Sequence, residues 1–216
     1  MIIHNLDTSS SVLNHFVSEI RDLEIQKDSM RFRRNLERIG EVLSYELSKE
    51  LNFSTHAVKT PLGEKNIPLI TDRLVLCSIL RAGLPLHQGI LNYFDHIDNA
   101  FISAYRHHTS PELFDIKVEY LASPSLDDKI LILADPMLAT GSSLVAVYET
   151  LKKMGKIQQV HLVSVVAAQE GIDFVSDHFP EDCHLWVATV DQKLNSKGYI
   201  VPGLGDAGDL AYGIKI

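Results

Sequence analysis

Five short apolar runs, each followed by a helical or loop segment, constrain the fold of this chain more than any other feature. They recur about every 25–30 residues and span residues 74–80, 100–104, 130–134, 160–166 and 185–190. Continuous apolar runs, as opposed to alternating ones, are typical of strands that are buried on both faces of a sheet. Helices are predicted between the runs at residues 84–94, 142–154 and 170–178. The pattern predicts an α/β fold with a doubly wound, mostly parallel sheet and right-handed crossovers.

An amphipathic helix is predicted before the first run, over residues 31–51. Its apolar residues fall three or four positions apart and would share one face: Leu36, Ile39, Leu43, Leu47 and Leu51. Asp28 or Ser29 is the expected N-cap, so the domain gains an N-terminal helical extension. The basic cluster at residues 31–34 is either a solvated face or a contact for a phosphate, an effector or another subunit, and both interpretations stay open.

Two stretches interrupt the alternation. Residues 105–125 carry polar and aromatic side chains without a helical face, which favours a flap or β-hairpin. The tail, residues 191–213, holds five glycines and a proline, too many for a regular element, and is predicted to be an ordered functional loop. Because neither repeats nor linkers occur, residues 1–216 are expected to form one domain.

The composition limits the class of function. With 45% apolar and 22% charged residues, the chain can build a substantial core. A net charge of −8 argues against nucleic-acid binding, which needs a basic surface, but not against small anionic substrates. Without a signal-peptide pattern or an 18-residue apolar stretch, we expect a cytoplasmic protein that does not enter membranes. Cys77 and Cys183 are expected to be free buried thiols, with a disulfide as the alternative.

Several chemically distinctive residues follow the predicted strands. Two arginines, Arg81 and Arg106, and two acids, Asp135 and Glu170, come directly after strands. Because ligands bind beyond the carboxyl ends of strands in open parallel sheets, we expect the site at this edge. Glu170 is interpreted only as a first-turn acid that suits the dipole of its helix.

The turn after the third strand predicts a phosphate-binding site. It consists of small residues: Ala139, Thr140, Gly141, Ser142 and Ser143. Backbone N–H groups at such a turn can approach an anion at a helix N-terminus. The turn lacks the lysine of a P-loop and the GxGxxG pattern, and alone it could be an ordinary capped helix. Asp135 adds a carboxylate that can bind sugar hydroxyls and stabilise positive charge, which favours a ribose-phosphate ligand.

At this point the chain resembles a known family. Residues 135–143 resemble the phosphoribosyl diphosphate (PRPP) binding motif of type I phosphoribosyltransferases, and their sequence is similar to that of the uracil-specific branch. Residues 198–209 resemble the base-binding loop of that branch, and residues 79–84 resemble its pyrophosphate loop. Tyr105 and Arg106 are similar to the flap, and residues 31–33 and 166–171 are also similar to family segments. The likeness extends from about residue 28 to 213, and the tail is its most specific part.

The resemblance implies transfer of the phosphoribosyl group of PRPP to uracil, giving UMP and pyrophosphate, with Mg²⁺ bound mainly through PRPP and near Asp206. The implied catalytic residues are Asp206, Arg106 and Asp135. The implied PRPP-binding residues are Arg81, Arg106, Asp135, Pro136, Met137, Leu138, Ala139, Thr140, Gly141, Ser142, Ser143 and Asp206. The implied uracil-binding residues are Ile200, Gly205, Asp206 and Ala207. The family also suggests a homodimer or homotetramer and a GTP effector, although no residue in this sequence specifies either.

Two departures from the family pattern bear on the site. Ser142 stands where a second glycine is common, and phosphate binding would weaken if this position required a positive φ. Pro85 stands after the pyrophosphate loop and stiffens the start of a helix, where proline is well tolerated. Two other functions stay open: a transferase for another base, and an RNA-binding regulator that senses UMP, which the net charge of −8 disfavours.

Overall fold

The computed structural model describes residues 1–108 and 114–215, with the side chains of residues 105–117 outside the described part. The strands are β1 (Ile2–Asn5), β2 (Phe53–Thr60), β3 (Gly63–Ile70), β4 (Leu74–Leu80), β5 (Asp98–His108), β6 (Phe114–Ala122), β7 (Lys129–Ala134), β8 (Met137–Leu138), β9 (Ile157–Ala168), β10 (His184–Asp191), β11 (Lys193–Leu194) and β12 (Ile200–Val201). The helices are α1 (Leu13–Arg21), α2 (Ser29–Ser48), α3 (Leu84–Leu91), α4 (Ser142–Leu151), α5 (Gln169–His178) and α6 (Ala207–Tyr212).

The central sheet has the order β1-β10-β9-β7-β4-β5-β6, with the short β8 also paired to β9. Neighbours are parallel except β5 and β6, which pair antiparallel in the region predicted to be a flap or hairpin. The five predicted strands are confirmed as β4, β5, β7, β9 and β10. The three predicted helices between them are confirmed as α3, α4 and α5, although α3 ends at Leu91 and α4 at Leu151.

Four of the five central strands, β4, β7, β9 and β10, contribute to two cores, which explains why their apolar runs are continuous. In β7, Ile130 and Ile132 belong to the core under α2 and α3, whereas Leu131 and Leu133 belong to the core under α4 and α5. Successive side chains of a strand point to opposite faces, so a sheet covered on both sides needs apolar residues at every position. Cys77 and Cys183 are free and buried in the second core, as expected.

Helix α2 forms because Asp28 caps it and one face is apolar. The Asp28 side chain accepts hydrogen bonds from the N–H groups of Met30 and Arg31, at 3.0 and 3.1 Å. The helix ends at Ser48, three residues before the predicted limit. Its basic cluster makes contacts within the chain, since Phe32 is buried in the core and Arg31 pairs with Glu19 at 3.2 Å.

Two parts of the chain differ from the sequence-based expectation. Strands β2 and β3 form an exposed antiparallel hairpin, the arm, which was not predicted. The tail was expected to lack regular elements, and this was wrong, because it forms a β11–β12 hairpin and the helix α6. The glycines that suggested an irregular loop lie at its turns, where Gly198, Gly203 and Gly205 have positive φ.

Candidate active site

The segment after β7 is tied to the neighbouring strand through its backbone. The N–H of Asp135 donates to the carbonyl of Val163 at 3.1 Å, and Ser164 Oγ donates to the carbonyl of Asp135 at 2.7 Å. The carbonyl of Pro136 accepts from two N–H groups of β9, and Met137 and Leu138 then pair with β9 as strand β8. These bonds fix the backbone just before the phosphate cradle, which we define as residues 139–143.

The cradle is closely packed where its backbone turns into α4. Gly141 has a φ of 79°, and a Cβ on it would lie 2.7 Å from Val175 Cγ1 of α5. A Cβ on Gly171, which opens α5 beside the cradle, would lie 2.1 Å from the carbonyl oxygen of Ala139. Both glycines are therefore required by the close approach of the cradle to α5. Ser142 begins α4 with helical backbone geometry, so the serine at this position imposes no conformational cost on the cradle.

A pocket of about 40 Å³ opens at the N-terminus of α4. It is lined by Asp135, Met137, Leu138, Ala139, Thr140, Gly141, Ser143 and Leu144. The first N–H groups of a helix have no partner within the helix, and they carry partial positive charge. Thr140 Oγ1 donates to Ser142 Oγ at 3.2 Å, so two hydroxyls converge beside these N–H groups. Such an arrangement of donors can bind an anion.

The Asp135 carboxyl lies at one side of this pocket and retains intermediate exposure. The surrounding protein raises its pKa to about 7 by desolvation, partly offset by a hydrogen bond from the N–H of Met137 at 3.5 Å. A carboxyl with this pKa changes charge near neutral pH. Its ionised form is favoured when positive charge arrives beside it.

Among the residues of the tail that are expected to bind the base, Gly205 has an open backbone. Ile200 is nearly buried in strand β12, and Ala207 is buried at the start of α6. Gly205 has a φ of 97°, and no described atom lies within 4 Å of the position that a Cβ would occupy. Asp206 caps α6 by accepting from the N–H of Asp209 at 2.9 Å. A flat ligand can approach the main chain at Gly205 because no side chain intervenes.

Arg81 joins the pyrophosphate loop to the tail. Its Nη2 lies 3.3 Å from Asp209 Oδ1 and donates to the carbonyl of Gly213 at 3.1 Å. A Cβ on Gly208 would lie 3.2 Å from Asp206 Oδ1 and 3.9 Å from Arg81 Nη2, so these groups are close neighbours. Pro85 lies in the first turn of α3, as expected. The structure therefore brings Arg81 and Asp206 together.

Arg106 lies in β5, next to the strand that delivers Arg81. Its backbone pairs with Ile116 of β6. Arg106 lies three residues after Ser103, which is aligned with Leu80, the last residue of β4. The backbone of Arg106 thus extends past the edge where β4 ends. Its side chain lies outside the described residues.

Several contacts that hold the tail were missed in the sequence. Glu170 was interpreted as having no role beyond its helix, but its Oε1 accepts from the N–H of Leu194 at 3.0 Å and so supports the tail. Arg33 donates to the carbonyl of Ala211 at 2.6 Å and lies 5.8 Å from the Tyr212 ring centre. The position of Glu170 just after β9, at the edge where the site was expected, could have indicated a role for this residue. Nothing in the sequence pairs Arg33 with the tail.

Residues 1–108 and 114–215 contain neither a self-sufficient metal-binding cluster nor a membrane-spanning helix. In these ranges, no group of three or more His, Cys, Asp or Glu side chains could hold a metal ion by itself. None of the helices in the same ranges combines the length and apolar character needed to cross a bilayer.

Comparisons with known proteins agree on one family. A family model described as uracil phosphoribosyltransferase matches residues 8–214. A curated uracil phosphoribosyltransferase from Porphyromonas gingivalis is 50% identical over 215 residues, covering 100% of this chain and 99% of that protein. A solved protein structure from Aquifex aeolicus has a TM-score of 0.87 and 31% identity, with 100% of both chains covered. A hypoxanthine phosphoribosyltransferase structure from Staphylococcus aureus, at 15% identity and a TM-score of 0.51, covers 84% of this chain and 83% of its own, and supports the fold alone.

Proposed function

The chain belongs to the uracil phosphoribosyltransferase family, and we propose that it transfers the 5-phosphoribosyl group of PRPP to uracil, giving UMP and pyrophosphate. The observation that carries this proposal is the meeting of three segments at one sheet edge. They are the pocket before α4, Arg81, which follows the neighbouring parallel strand β4, and the tail, which contains Gly205 and contacts Arg81 through Asp209.

We assign the 5′-phosphate of PRPP to the cradle. The N–H groups at the start of α4, together with the hydroxyls of Thr140, Ser142 and Ser143, would donate to its oxygens. Asp135 would accept hydrogen bonds from the ribose hydroxyls, and the backbone of residues 136–138 would hold it in place. Arg81 and Arg106 would bind the pyrophosphate, because a guanidinium matches phosphate oxygens with paired donors.

Uracil is assigned to the main chain of the tail. Ile200, Gly205 and Ala207 would read its polar edge, and Asp206 would lie between the base, the sugar and the pyrophosphate. In the reaction, N1 of uracil bonds to C1 of the ribose, and the proton of N1 passes to solvent water. The C1–O bond breaks, and its electron pair leaves with pyrophosphate. Asp135 would stabilise the positive charge that develops on the ring, since that charge favours its ionised form.

Mg²⁺ is proposed to enter with PRPP. The ion prefers oxygen ligands and needs few from the protein when phosphates supply the others. The carboxylate of Asp206 fits this requirement as a hard oxygen donor, and it would hold the ion at the pyrophosphate end of the substrate. When bound, Mg²⁺ neutralises charge on the leaving pyrophosphate.

A base-selectivity assay tests the proposed function. The protein is incubated with PRPP and Mg²⁺ and with uracil, hypoxanthine, adenine or orotate in separate reactions. Formation of UMP from uracil, with no product from the other three bases, supports the proposal. Absence of UMP in the uracil reaction contradicts it. Product from another base would favour a transferase of different specificity, whereas RNA binding with a steep salt dependence would favour a regulator. Adding GTP to the uracil reaction measures whether GTP acts as an effector.

We also propose that the protein is a cytoplasmic homodimer or homotetramer assembled through the arm. Large apolar side chains are exposed on the arm: Phe53, Leu62, Ile67, Leu69 and Ile70. Exposed apolar surface of this kind marks protein–protein contacts. The free buried cysteines are typical of a reducing compartment.

The arm offers a direct test of assembly. Ile67 and Leu69 lie two residues apart on β3 and therefore share a face. The double variant Ile67→Lys/Leu69→Lys is expected to sediment as a monomer, while the wild type sediments as an oligomer. Lys65→Glu/Lys59→Glu, which changes charge on the same hairpin without removing apolar surface, is the control. An oligomer that survives the double lysine change contradicts the role of the arm.

A further inference from the structure

Gly203, in the turn after β12, is held through both of its main-chain polar groups. Its N–H donates to Asp191 Oδ2 at 2.8 Å, and its carbonyl accepts from Arg21 Nη1 at 3.1 Å. Gly203 has a φ of 59°, and a Cβ on it would lie 2.2 Å from the carbonyl oxygen of Ile200. The turn is therefore folded tightly back onto Ile200.

The two side chains that hold Gly203 also bind each other. Arg21 Nη1 lies 2.9 Å from Asp191 Oδ2, and Arg21 Nη2 lies 3.0 Å from Asp191 Oδ1. Paired charge-assisted bonds of this kind fix the relative orientation of the two groups. The Asp191 side chain is 8% exposed and that of Arg21 is 20% exposed, so solvent screens the pair only weakly.

This pair connects the tail to two elements that are distant in the sequence. Arg21 is the last residue of α1, and Asp191 is the last residue of β10. A further contact acts at the next residue of the turn. With its amide oriented to donate, the Gln26 nitrogen lies 3.0 Å from the carbonyls of Ile20 and Leu204. The segment around α1 thus supports the turn at consecutive positions.

We propose that Arg21 and Asp191 are positioning residues for the base. By fixing Gly203, they set the place where Ile200, three residues before, and Gly205, two residues after, present their main-chain groups to uracil. The inference rests on the proposed function. It predicts an effect on the base alone, because the cradle is held by β9 and α5 and has no contact with this pair among the bonds described.

The test replaces Asp191 by asparagine, which keeps the size of the side chain but removes its charge. The amide then faces the donors of Arg21 and Gly203 with one acceptor in place of two. The Michaelis constant for uracil is expected to rise at least about tenfold, with the constant for PRPP changed by less than about twofold. The affinity for UMP, measured by calorimetry, falls to a similar extent, and the affinity for ribose 5-phosphate does not change.

Asp7→Asn is the matched control. Asp7 Oδ2 accepts from Thr189 Oγ1 at 2.7 Å and from the N–H of Val190 at 3.3 Å, at the same strand end as Asp191. It makes no described bond to the turn at Gly203. Asp7→Asn therefore loses the same charge next to β10, and both Michaelis constants are expected to stay within about twofold of wild type.

The outcomes are separable. One outcome is that Asp191→Asn lowers the turnover number and leaves the Michaelis constant for uracil and the affinity for UMP unchanged. In that case the Arg21–Asp191 pair has only a structural role, and the inference is overturned. If Asp191→Asn does not fold, Arg21→Lys decides the question, because lysine keeps the charge but cannot form the paired bonds. Arg21→Lys should raise the uracil constant several-fold, and an unchanged constant overturns the inference. A wild type that binds UMP but forms none from uracil refutes the proposed function, while the UMP and ribose 5-phosphate affinities still test the pair.

Discussion

The cradle and the tail, which we propose bind two parts of the same nucleotide, are held in place by different kinds of contact. The cradle is a contiguous segment that directly follows β8, which pairs with β9, and it packs on α5. The tail is held by side chains far away in the chain, including Arg21, which lies 182 residues before Gly203, and Arg33, which lies 178 residues before Ala211. The cradle is therefore held by elements close to it in the sequence, whereas the position of the tail depends on residues far away in the sequence. The two halves should therefore respond differently to mutation.

Asp206→Ala should have the largest effect, because we propose that the charge of Asp206 lies between the base, the sugar and the pyrophosphate. The turnover number is expected to fall at least about 100-fold, which steady-state kinetics with uracil and PRPP would measure. Loss of the helix cap should lower the free energy of unfolding by only about 1 kcal/mol. Asp206→Asn keeps the cap but not the charge, so it should lose activity without losing stability. A variant that melts early but retains its turnover number would contradict a role in the site.

Gly141→Ala should damage the cradle selectively. The new Cβ would lie 2.7 Å from Val175 Cγ1 at a φ of 79°, so both packing and backbone geometry oppose it. We expect weaker binding of ribose 5-phosphate and of UMP alike, by about tenfold or more, because both carry the phosphate. Gly213→Ala is the control for stability, since it has a φ of 86° but open space, and should cost only about 1–2 kcal/mol. Equal losses of stability in the two variants would show that the contact with α5 is unimportant.

Arg81→Met tests the arginine that follows β4 and contacts the tail. Loss of the guanidinium should raise the Michaelis constant for PRPP by about tenfold, since charge-assisted bonds to phosphate are lost. Asp209→Asn removes only the partner that lies 3.3 Å from Arg81 in the tail, and it should leave the PRPP constant within about twofold. If both variants raise the PRPP constant equally, the contact with the tail is what matters.

The smallest expected effect concerns the dependence of stability on pH, and it lies outside both halves. Burial lowers the pKa of His161 to about 3, with the neighbouring His184 and His4 lowering it further. His161 therefore takes up a proton near pH 6.5 in the unfolded chain but only near pH 3 in the folded chain. The free energy of unfolding consequently falls as the pH falls from about 6.5 to about 3. Asp135 acts in the opposite direction as pH rises from about 4 to 7, because its folded pKa is raised.

The two contributions can be separated by denaturant titration at pH 5 and pH 7. His161→Asn keeps a side chain that can accept the hydrogen bond from Trp186 Nε1, and it removes the titrating group. The free energy of unfolding of this variant should fall less between pH 7 and pH 5 than that of wild type, by about 1–2 kcal/mol. Identical pH slopes would mean that His161 is not buried in its neutral form.

The sequence predicted the parts whose signals are local. The apolar runs identified all five central strands, four of which are buried on both faces, and Asp28 was one of the two residues expected to cap α2. The strand, turn and helix that form the cradle were predicted because they are consecutive in the sequence. The arm was missed because its exposed strands leave no pattern of burial. The contacts of Glu170 with the tail, and those of Arg33 and Arg21, were missed because pairing across the chain follows from the packed fold and not from spacing.

The attachment of the tail has a consequence for the order in which the enzyme matures. The residues that make up the cradle and the strands around it are synthesised before residue 180, so this half can assemble while the ribosome is still at work. Asp191 and Gly203 come late, and they must find Arg21, which left the ribosome among the first residues. Contacts between such distant positions form slowly. A nascent chain should therefore recognise a phosphorylated sugar before it can distinguish one nucleobase from another.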